Sequence, residues 1–245
     1  MKKALVFFIA AVLAFAYEAK VEPFEVYKIK SSVAGEVVES NKNLEAVNVK
    51  NGLLVKIDDK QNLIDLKNLQ NQKNILIEEI KNQEEIVKRK KDVYEKYKNL
   101  KTKSQSEKDI KFYDYMSAKN QLLSLKSQLS TTIANISKIK DTINKKNIKA
   151  SGYVFKIYVN SGDYAAPGML IADVYDISRQ KLDIYVPIDE ISNIKNKKVY
   201  INGKKSDFKI YKIWNVPDTQ YITSYKVELT GKGLKFGEIV KINFK

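Results

Sequence analysis

The side chains that most often carry enzyme chemistry are missing from this sequence or are badly placed in it. The 245 residues include no histidine and no cysteine, which excludes histidine acid–base catalysis, thiolate nucleophiles, cysteine-bound metals and disulfides. Two acidic pairs remain, Asp58-Asp59 and Asp189-Glu190. Neighbouring residues of a strand point to opposite faces, so these are poor acid–base partners. We predict a protein that is not an enzyme and that needs no metal or cofactor.

The N-terminus has the pattern of an export signal. Lys2 and Lys3 precede an uncharged run over residues 4–16, which ends in a small-x-small motif, Ala14-Phe15-Ala16. This run is shorter than the ~20 apolar residues of a spanning helix. We predict a signal peptide over residues 1–16 that is cleaved after Ala16 and directs the chain to the periplasm. The alternative is an uncleaved N-terminal anchor.

Lysine dominates the charged residues, with Lys+Arg 44 against Asp+Glu 29 and a formal net charge of +15. The arginines are Arg89 and Arg179 alone, whereas proteins that read phosphates prefer the forked guanidinium group. An exported chain is also a poor candidate for nucleic-acid binding. We therefore predict a solvated, lysine-rich surface and no nucleic-acid partner.

The middle of the chain has no glycine or proline between Leu53 and Ser151, which predicts long regular structure. Apolar residues recur there at spacings of three and four, as along the seam of a coiled coil. We predict two antiparallel helices, 62–101 and 105–146, each about 60 Å long. Their seam positions are Leu66, Leu69, Lys73, Leu76, Ile80, Gln83, Val87, Lys90, Tyr94 and Tyr97, and then Tyr115, Ala118, Leu122, Leu125, Leu129, Thr132, Ile136, Ile139 and Ile143.

The two seams are separated by a polar stretch that can restart a helix. Ser104 followed by Glu107 has the pattern of a capping box, and Ser106 followed by Asp109 offers the same pattern in a second register. The sequence leaves both registers open.

The helical block is flanked by two segments that resemble each other. In the first, Gly35 and Gly52 bracket alternating strand patterns, and in the second Gly152 and Gly168 do the same. Two similar half-units on either side of a long insertion predict one small β-domain that the helices interrupt.

The second flank resembles half of the lipoyl-like domain of membrane fusion proteins, the HlyD-like periplasmic adaptors of bacterial efflux and secretion systems. The residues that match the turns of that motif are Gly162-Asp163 and Pro167-Gly168, with Gly35 and Gly152 opening the two halves.

The C-terminal region carries the resemblance further. Residues 182–191, which include Pro187, are similar to the first barrel strand of the family, and residues 233–242, which include Gly233 and Gly237, are similar to its closing strand. Phe236 stands where the family usually has proline. No full membrane-proximal domain follows, and only residues 21–30 are left to give one a strand.

The resemblance implies an α+β fold in which a split lipoyl-like β-domain is interrupted by a long antiparallel coiled-coil α-hairpin and followed by a small antiparallel β-barrel. The corresponding ranges are a signal peptide (1–16), an N-terminal strand segment (17–30), lipoyl-like half 1 (31–61), the α-helical hairpin (62–146), lipoyl-like half 2 (147–177) and the β-barrel domain (178–245).

The function that the resemblance implies is that of a non-catalytic periplasmic adaptor. It would link an inner-membrane exporter, with the proton-driven resistance–nodulation–division (RND) type favoured, to a TolC-like outer-membrane channel, for efflux of drugs or other toxic compounds. Association with the inner membrane would come through the exporter, and the adaptor would assemble into a homo-oligomeric ring, commonly a hexamer. The family docks on the channel through Arg, Leu and Ser around the hairpin tip, and the nearest matches here are Lys96, Leu100, Ser104 and Ser106.

Several alternatives stay open at this stage. The adaptor could serve an ABC-type exporter or a type I secretion system, or the chain could be an exported coiled-coil scaffold without a transport role. Ser104 and Ser106 could be helix caps only. A lipoylated enzyme domain would need a modified lysine, for which Lys42 and Lys50 are the candidates.

Overall fold

The computed structural model describes residues 16–217 and 220–245. It mixes helices with strands that all pair antiparallel. The predicted α and β mixture with two long helices is therefore confirmed. In chain order the strands are β1 (Tyr17–Lys20), β2 (Glu22–Lys30), β3 (Gly35–Ser40), β4 (Asn48–Ile57), β5 (Asn147–Ile157), β6 (Tyr164–Ala165), β7 (Leu170–Pro187), β8 (Val199–Ile201), β9 (Lys204–Lys205), β10 (Lys209–Ile213), β11 (Ser224–Gly231) and β12 (Ile239–Phe244).

The helices α1 (Lys60–Asn99) and α2 (Gln105–Lys146) lie between β4 and β5, and a one-turn helix, α3 (Ile191–Ile194), follows β7. The two long helices pack against each other in opposite directions. Glu84 pairs with Lys126 at 2.8 Å, and the Gln83 amide donates to the Ala118 carbonyl oxygen at 2.9 Å. Every seam position that the spacing predicted is buried or half-buried.

The strands form a large sheet in the order β10–β11–β7–β5–β4–β3–β6, with β2 on β7, and a smaller sheet in the order β1–β12–β8–β9. Two hydrophobic cores result. We call them the flank core, which includes Leu54, Ile57 and Ile157, and the C-terminal core, which includes Val227, Leu229 and Ile242.

The long strand β7 belongs to both cores. Its first half buries Ile171 and Val174 in the flank core, and its second half buries Leu182 and Ile184 in the C-terminal core. It runs without interruption through the predicted domain boundary at 177/178. The two β units are thus joined by one continuous strand.

The two flanks of the helical block meet in space through the glycine turns of the second flank. The Gly162 N–H donates to the Val37 carbonyl oxygen, and the Gly168 N–H donates to that of Ser31, both at 2.8 Å. The flanking halves, more than a hundred residues apart in the sequence, therefore build one core.

Some bounds differ from those that the sequence predicts. Helix α1 begins at Lys60 rather than at residue 62, because the Asp58 carboxylate accepts from the Lys60 N–H and the Asp59 carbonyl oxygen accepts from the Leu63 N–H. It ends at Asn99 rather than at residue 101, because Leu100 has an extended backbone. Strand β2, which falls within the predicted N-terminal strand segment, pairs with β7. The predicted signal peptide falls on residues 1–16, of which 1–15 lie outside the described residues.

Candidate docking site at the helical tip

The far end of the helix pair is a five-residue connection, 100–104, between α1 and α2. Helix α1 ends as the Leu100 N–H donates to the Tyr97 carbonyl oxygen at 3.1 Å. Leu100 itself has an extended backbone and leaves 44% of its surface exposed. The connection therefore presents an apolar side chain to solvent at the extremity of the pair.

Helix α2 begins with a capping box at Ser104, the first of the two registers that the sequence offers. The Ser104 hydroxyl oxygen accepts from the Glu107 N–H at 3.3 Å, and the Glu107 carboxylate accepts from the Ser104 N–H at 3.0 Å. This exchange satisfies backbone donors that a helix start leaves without partners. In the second register Asp109 instead accepts from the Gln105 amide at 2.7 Å.

The Glu107 carboxylate is held in its charged form. The Lys103 ammonium donates to it at 2.9 Å, and the Ser104 backbone and hydroxyl donate to the other oxygen. These hydrogen bonds, that of Lys103 first, lower the pKa of Glu107 to about 2. The same carboxylate raises the pKa of Lys103.

Aromatic rings stiffen the last turns behind the connection. The Tyr94 ring lies 5.4 Å from that of Phe112 and 6.3 Å from that of Tyr115, between centroids. The Lys103 and Lys111 ammonium groups lie 5.4 and 5.8 Å from the Tyr97 ring centroid, within the range of cation–π attraction. The tip is therefore an ordered surface.

The structure brings the four predicted docking residues to this one end and gives them different environments. Lys96, Leu100 and Ser106 are exposed, and the Ser106 hydroxyl makes no hydrogen bond in the described part of the chain. The Ser104 hydroxyl is engaged in the cap. Ser104 thus positions the tip, whereas the other three have groups to offer a partner.

The tip also carries an excess of positive charge. Residues 96–111 contain six lysines and two acids, and Glu107 is already paired with Lys103. The signal was present in the sequence as a local excess of lysine. The resulting positive potential favours an acidic partner surface. The lysines are Lys96, Lys98, Lys101, Lys103, Lys108 and Lys111.

The predicted lipoyl-like glycines fall on turns and on close backbone approaches. Gly152 has φ +130°, and a Cβ there would lie 2.9 Å from the Tyr175 carbonyl oxygen; at Gly35 (φ +152°) a Cβ would lie 2.6 Å from an Ile57 methyl carbon. No larger residue fits either place without movement.

The remaining predicted turn and barrel residues lie in surface connections or, for Pro187, at the end of a strand. The Asp163 carboxylate accepts from the Asn160 N–H at 2.7 Å and closes the turn before Pro167-Gly168. Pro187 ends β7 opposite Ser224. Gly233 and Gly237 lie in the connection from β11 to β12, where the Gly237 N–H donates to the Val21 carbonyl oxygen at 2.8 Å.

The two lysines considered for lipoylation lie near the flank core. The Lys42 ammonium donates to the Ile157 carbonyl oxygen at 2.5 Å, which commits it to a structural contact. Lys50 is exposed on β4 beside the left-handed Asn51 (φ 52°).

Solved structures give the comparison that bears on this fold. MacA from Actinobacillus actinomycetemcomitans is similar at a TM-score of 0.77 and 14% identity, over 94% of this chain and 78% of MacA. The membrane fusion protein Spr0693 from Streptococcus pneumoniae R6 is similar at a TM-score of 0.62 and 13% identity, over 95% of this chain and 99% of that protein. This chain has the membrane fusion protein fold. The resemblance predicted from the sequence is thus confirmed at the level of the fold.

The membrane fusion protein fold also relates the chain to a candidate efflux transporter from Bacteroides eggerthii DSM 20697, at a TM-score of 0.56 and 14% identity, over 99% of this chain and 74% of that one. No protein-family profile matches the sequence, and no curated protein sequence matches it either. Within residues 16–217 and 220–245, no helix combines the length and the apolar character needed to cross a bilayer.

Proposed function

We propose that this protein is a periplasmic adaptor that links an inner-membrane exporter to an outer-membrane channel and catalyses no reaction. The observation that carries the proposal is the likeness to MacA over 94% of the chain, with long helices that end in an exposed, positively charged tip. The names of two similar proteins, a membrane fusion protein and a candidate efflux transporter, support the same role. Efflux of drugs or other toxic compounds is the proposed process.

In this proposal the three structural parts have the roles of their counterparts in the family. The flank core belongs to a lipoyl-like domain split by the helices, α1 and α2 form a coiled-coil α-hairpin, and the C-terminal core belongs to a small antiparallel β-barrel. What supports this is the meeting of the two flanks through the Gly162 and Gly168 turns, together with the shared burial along both seams.

The tip would dock on a TolC-like channel through exposed groups. Leu100 offers apolar area, Lys96 and its neighbours offer positive charge, and Ser106 offers a free hydroxyl. Ser104 would act indirectly, because its hydroxyl fixes the start of α2. An acidic rim on the channel is the matching surface.

The partners at the other end are proposed on the sequence resemblance. An exporter of the RND type is favoured, with an ABC-type exporter or a type I secretion system as the alternative. A homo-oligomeric ring, commonly of six copies, would enclose the conduit. Residues 1–16 would be removed on export, and the mature chain would lie in the periplasm, held at the inner membrane by its exporter.

The test is site-specific photo-crosslinking in the native bacterium, with a crosslinking residue at Leu100 or Ser106. A matched control carries it at Leu123, which is 57% exposed in the middle of α2. We expect Leu100 and Ser106 to capture an outer-membrane protein that Leu123 does not. A second crosslinker at exposed Ile188, after β7, is expected to capture an inner-membrane transporter.

Each outcome of this experiment has a meaning. Capture of the same proteins from all positions, or of no envelope protein from the tip, would contradict the adaptor role and favour an exported scaffold. The identity of the protein captured from Ile188 decides between the RND and ABC classes.

A further inference from the structure

A cleft of about 630 Å³ lies where the two β units meet. One wall comes from β5 and β7 and carries Tyr153, Phe155 and Tyr175. Strand β2 pairs with β7, so its lining residues belong to this same wall, with Val26 opposite Tyr175 and Glu22 opposite Lys181. The other wall comes from Val21 and from the connection before β12, which contributes Phe236. Cavities of a few hundred to about 1,000 Å³ with aromatic linings, placed between structural units, are typical of small-molecule sites.

The cleft leaves apolar side chains in contact with water. Phe155 is 51% exposed and Phe236 is 45% exposed, and Val26 of β2 lies half exposed beside them. The Phe155 ring stacks on that of Tyr175 with 4.7 Å between centroids and 13° between planes. This pair offers a flat, preformed surface on which an apolar ring system can bury apolar area at little entropic cost.

The wall that holds Phe236 is fixed by backbone and side-chain hydrogen bonds. The Val21 N–H donates to the Glu238 carbonyl oxygen, and the Gly237 N–H donates to the Val21 carbonyl oxygen, both at 2.8 Å. The buried Gln180 amide bonds the backbone of Leu234 in both directions. Phe236 is held in this wall as part of the connection before β12.

The charges at the cleft favour one negative charge on the occupant. Lys20 and Lys181 line it, and Glu22 is its one lining carboxylate. Neither lysine has a carboxylate within 4 Å in the described ranges. The lining therefore carries a net charge of +1, which a singly charged anion would balance.

We propose that this cleft binds a small amphipathic molecule with an aromatic or otherwise apolar body and a single negative charge. The body lies against the Phe155–Tyr175 pair and Phe236, and the anionic group lies toward Lys20 and Lys181. The inference does not depend on the adaptor role, because it rests on residues remote from the helical tip.

The test uses two fluorescent probes on the purified full chain. 8-Anilinonaphthalene-1-sulfonate has an aromatic body with one negative charge, and N-phenyl-1-naphthylamine is its neutral analogue. We expect saturable binding of the anionic probe at one site per chain. Phe155→Ala or Phe236→Ala should lower the affinity for both probes about tenfold. Lys181→Gln should lower the affinity for the anionic probe alone, by about fivefold at low salt.

The matched control is Tyr164→Ala, which removes another exposed ring, on β6 and outside the cleft. Unchanged binding in both phenylalanine variants, or an equal loss in the control, would overturn the proposal. If Phe155→Ala disturbs the circular dichroism spectrum, the effect of Phe236→Ala on probe binding tests the proposal instead.

A second copy of the chain is the rival occupant. In that case probe binding falls as protein concentration rises, and Phe155→Ala abolishes self-association in sedimentation experiments. That result would make the cleft a subunit contact and would also overturn the proposal.

Discussion

At the scale of single residues, the two serines of the tip differ in what the helix uses them for. Ser104 and Ser106 are both exposed and both precede an acid by three residues, yet only Ser104 caps α2. The difference comes from Glu107, which Lys103 also binds. A side chain that looks available from the sequence is thus already used by the helix itself.

We expect Ser104→Ala to loosen the first turn of α2, because an N-cap serine contributes about 1 kcal/mol to its helix. Amide hydrogen exchange at residues 105–108 should become faster by a factor of about 5. Ser106→Ala is the matched control and should leave the exchange unchanged. Equal acceleration in both variants would show that the cap does not hold this turn.

The low pKa of Glu107 predicts how acid acts on the tip. Because the folded pKa, about 2, lies below the usual value near 4.3, the stabilisation is fully present above pH 4.3 and is lost as the pH falls toward 2. Carboxyl chemical shifts in an NMR titration should place the Glu107 midpoint near 2. Lys103→Ala should raise that midpoint, and an unchanged midpoint would contradict the role of the ion pair.

At the scale of elements, the two long helices depend on each other because each is the main packing partner of the other in the described structure. Burial along α2 centres on Ala118, Leu125 and Thr132, each seven residues from the next, and on α1 it centres on Leu76. Thr132 satisfies its hydroxyl within the helix by donating to the Gln128 carbonyl oxygen at 2.9 Å. The narrow seam is therefore the main hydrophobic contribution to helix pairing.

We expect Leu125→Ala to destabilise the helix pair by about 2–5 kcal/mol, because it removes buried apolar volume. Leu123→Ala, two residues away, should change the stability by less than about 0.5 kcal/mol, because Leu123 is 57% exposed. Thermal melting followed by circular dichroism at 222 nm measures both. Similar destabilisation by the two variants would place the helix contact elsewhere.

At the scale of the whole molecule, the shared strand β7 predicts that the two β units unfold together. Ile171 and Ile184 lie on the same strand and are fully buried in different cores. The single tryptophan, Trp214, follows β10 beside the C-terminal core, so its fluorescence reports on that unit.

We expect Ile171→Ala to lower the melting temperature reported by Trp214, although Ile171 lies in the flank core. Ile184→Ala should lower it by a similar amount, since each change costs about 2–5 kcal/mol. Tryptophan fluorescence melts of both variants measure this coupling. If Ile171→Ala leaves the melting temperature reported by Trp214 unchanged, the two units unfold independently.

The sequence predicts the parts of this molecule that depend on local spacing. The seams of α1 and α2 could be predicted because apolar residues at spacings of three and four indicate an amphipathic helix. The choice between Ser104 and Ser106 as the cap of α2 could not be predicted, because each has an acidic residue three positions later. The continuity of β7 could not be predicted, because four of the five residues from Asp176 to Gln180 are polar and the segment resembles a connection. In the structure β2 and β11 pair with β7 there.

The cleft between the β units was also beyond reach of the sequence. Its walls combine Val21, Phe155 and Phe236, which are separated by more than eighty residues at each step. No periodic pattern links such positions, and only the folded chain brings them together.

The direct passage from sheet to helix has a mechanical consequence. Helix α1 follows β4 after only Asp58 and Asp59, β5 begins at the residue after α2, and the Lys146 ammonium donates to the Asp58 carbonyl oxygen at 2.5 Å. A helix pair about 60 Å long amplifies any tilt at this base, since a rotation of about 5° moves its far end by about 5 Å. The position of the tip is therefore sensitive to a few contacts at the opposite end of the helix pair, such as that of the Lys146 side chain with the Asp58 backbone.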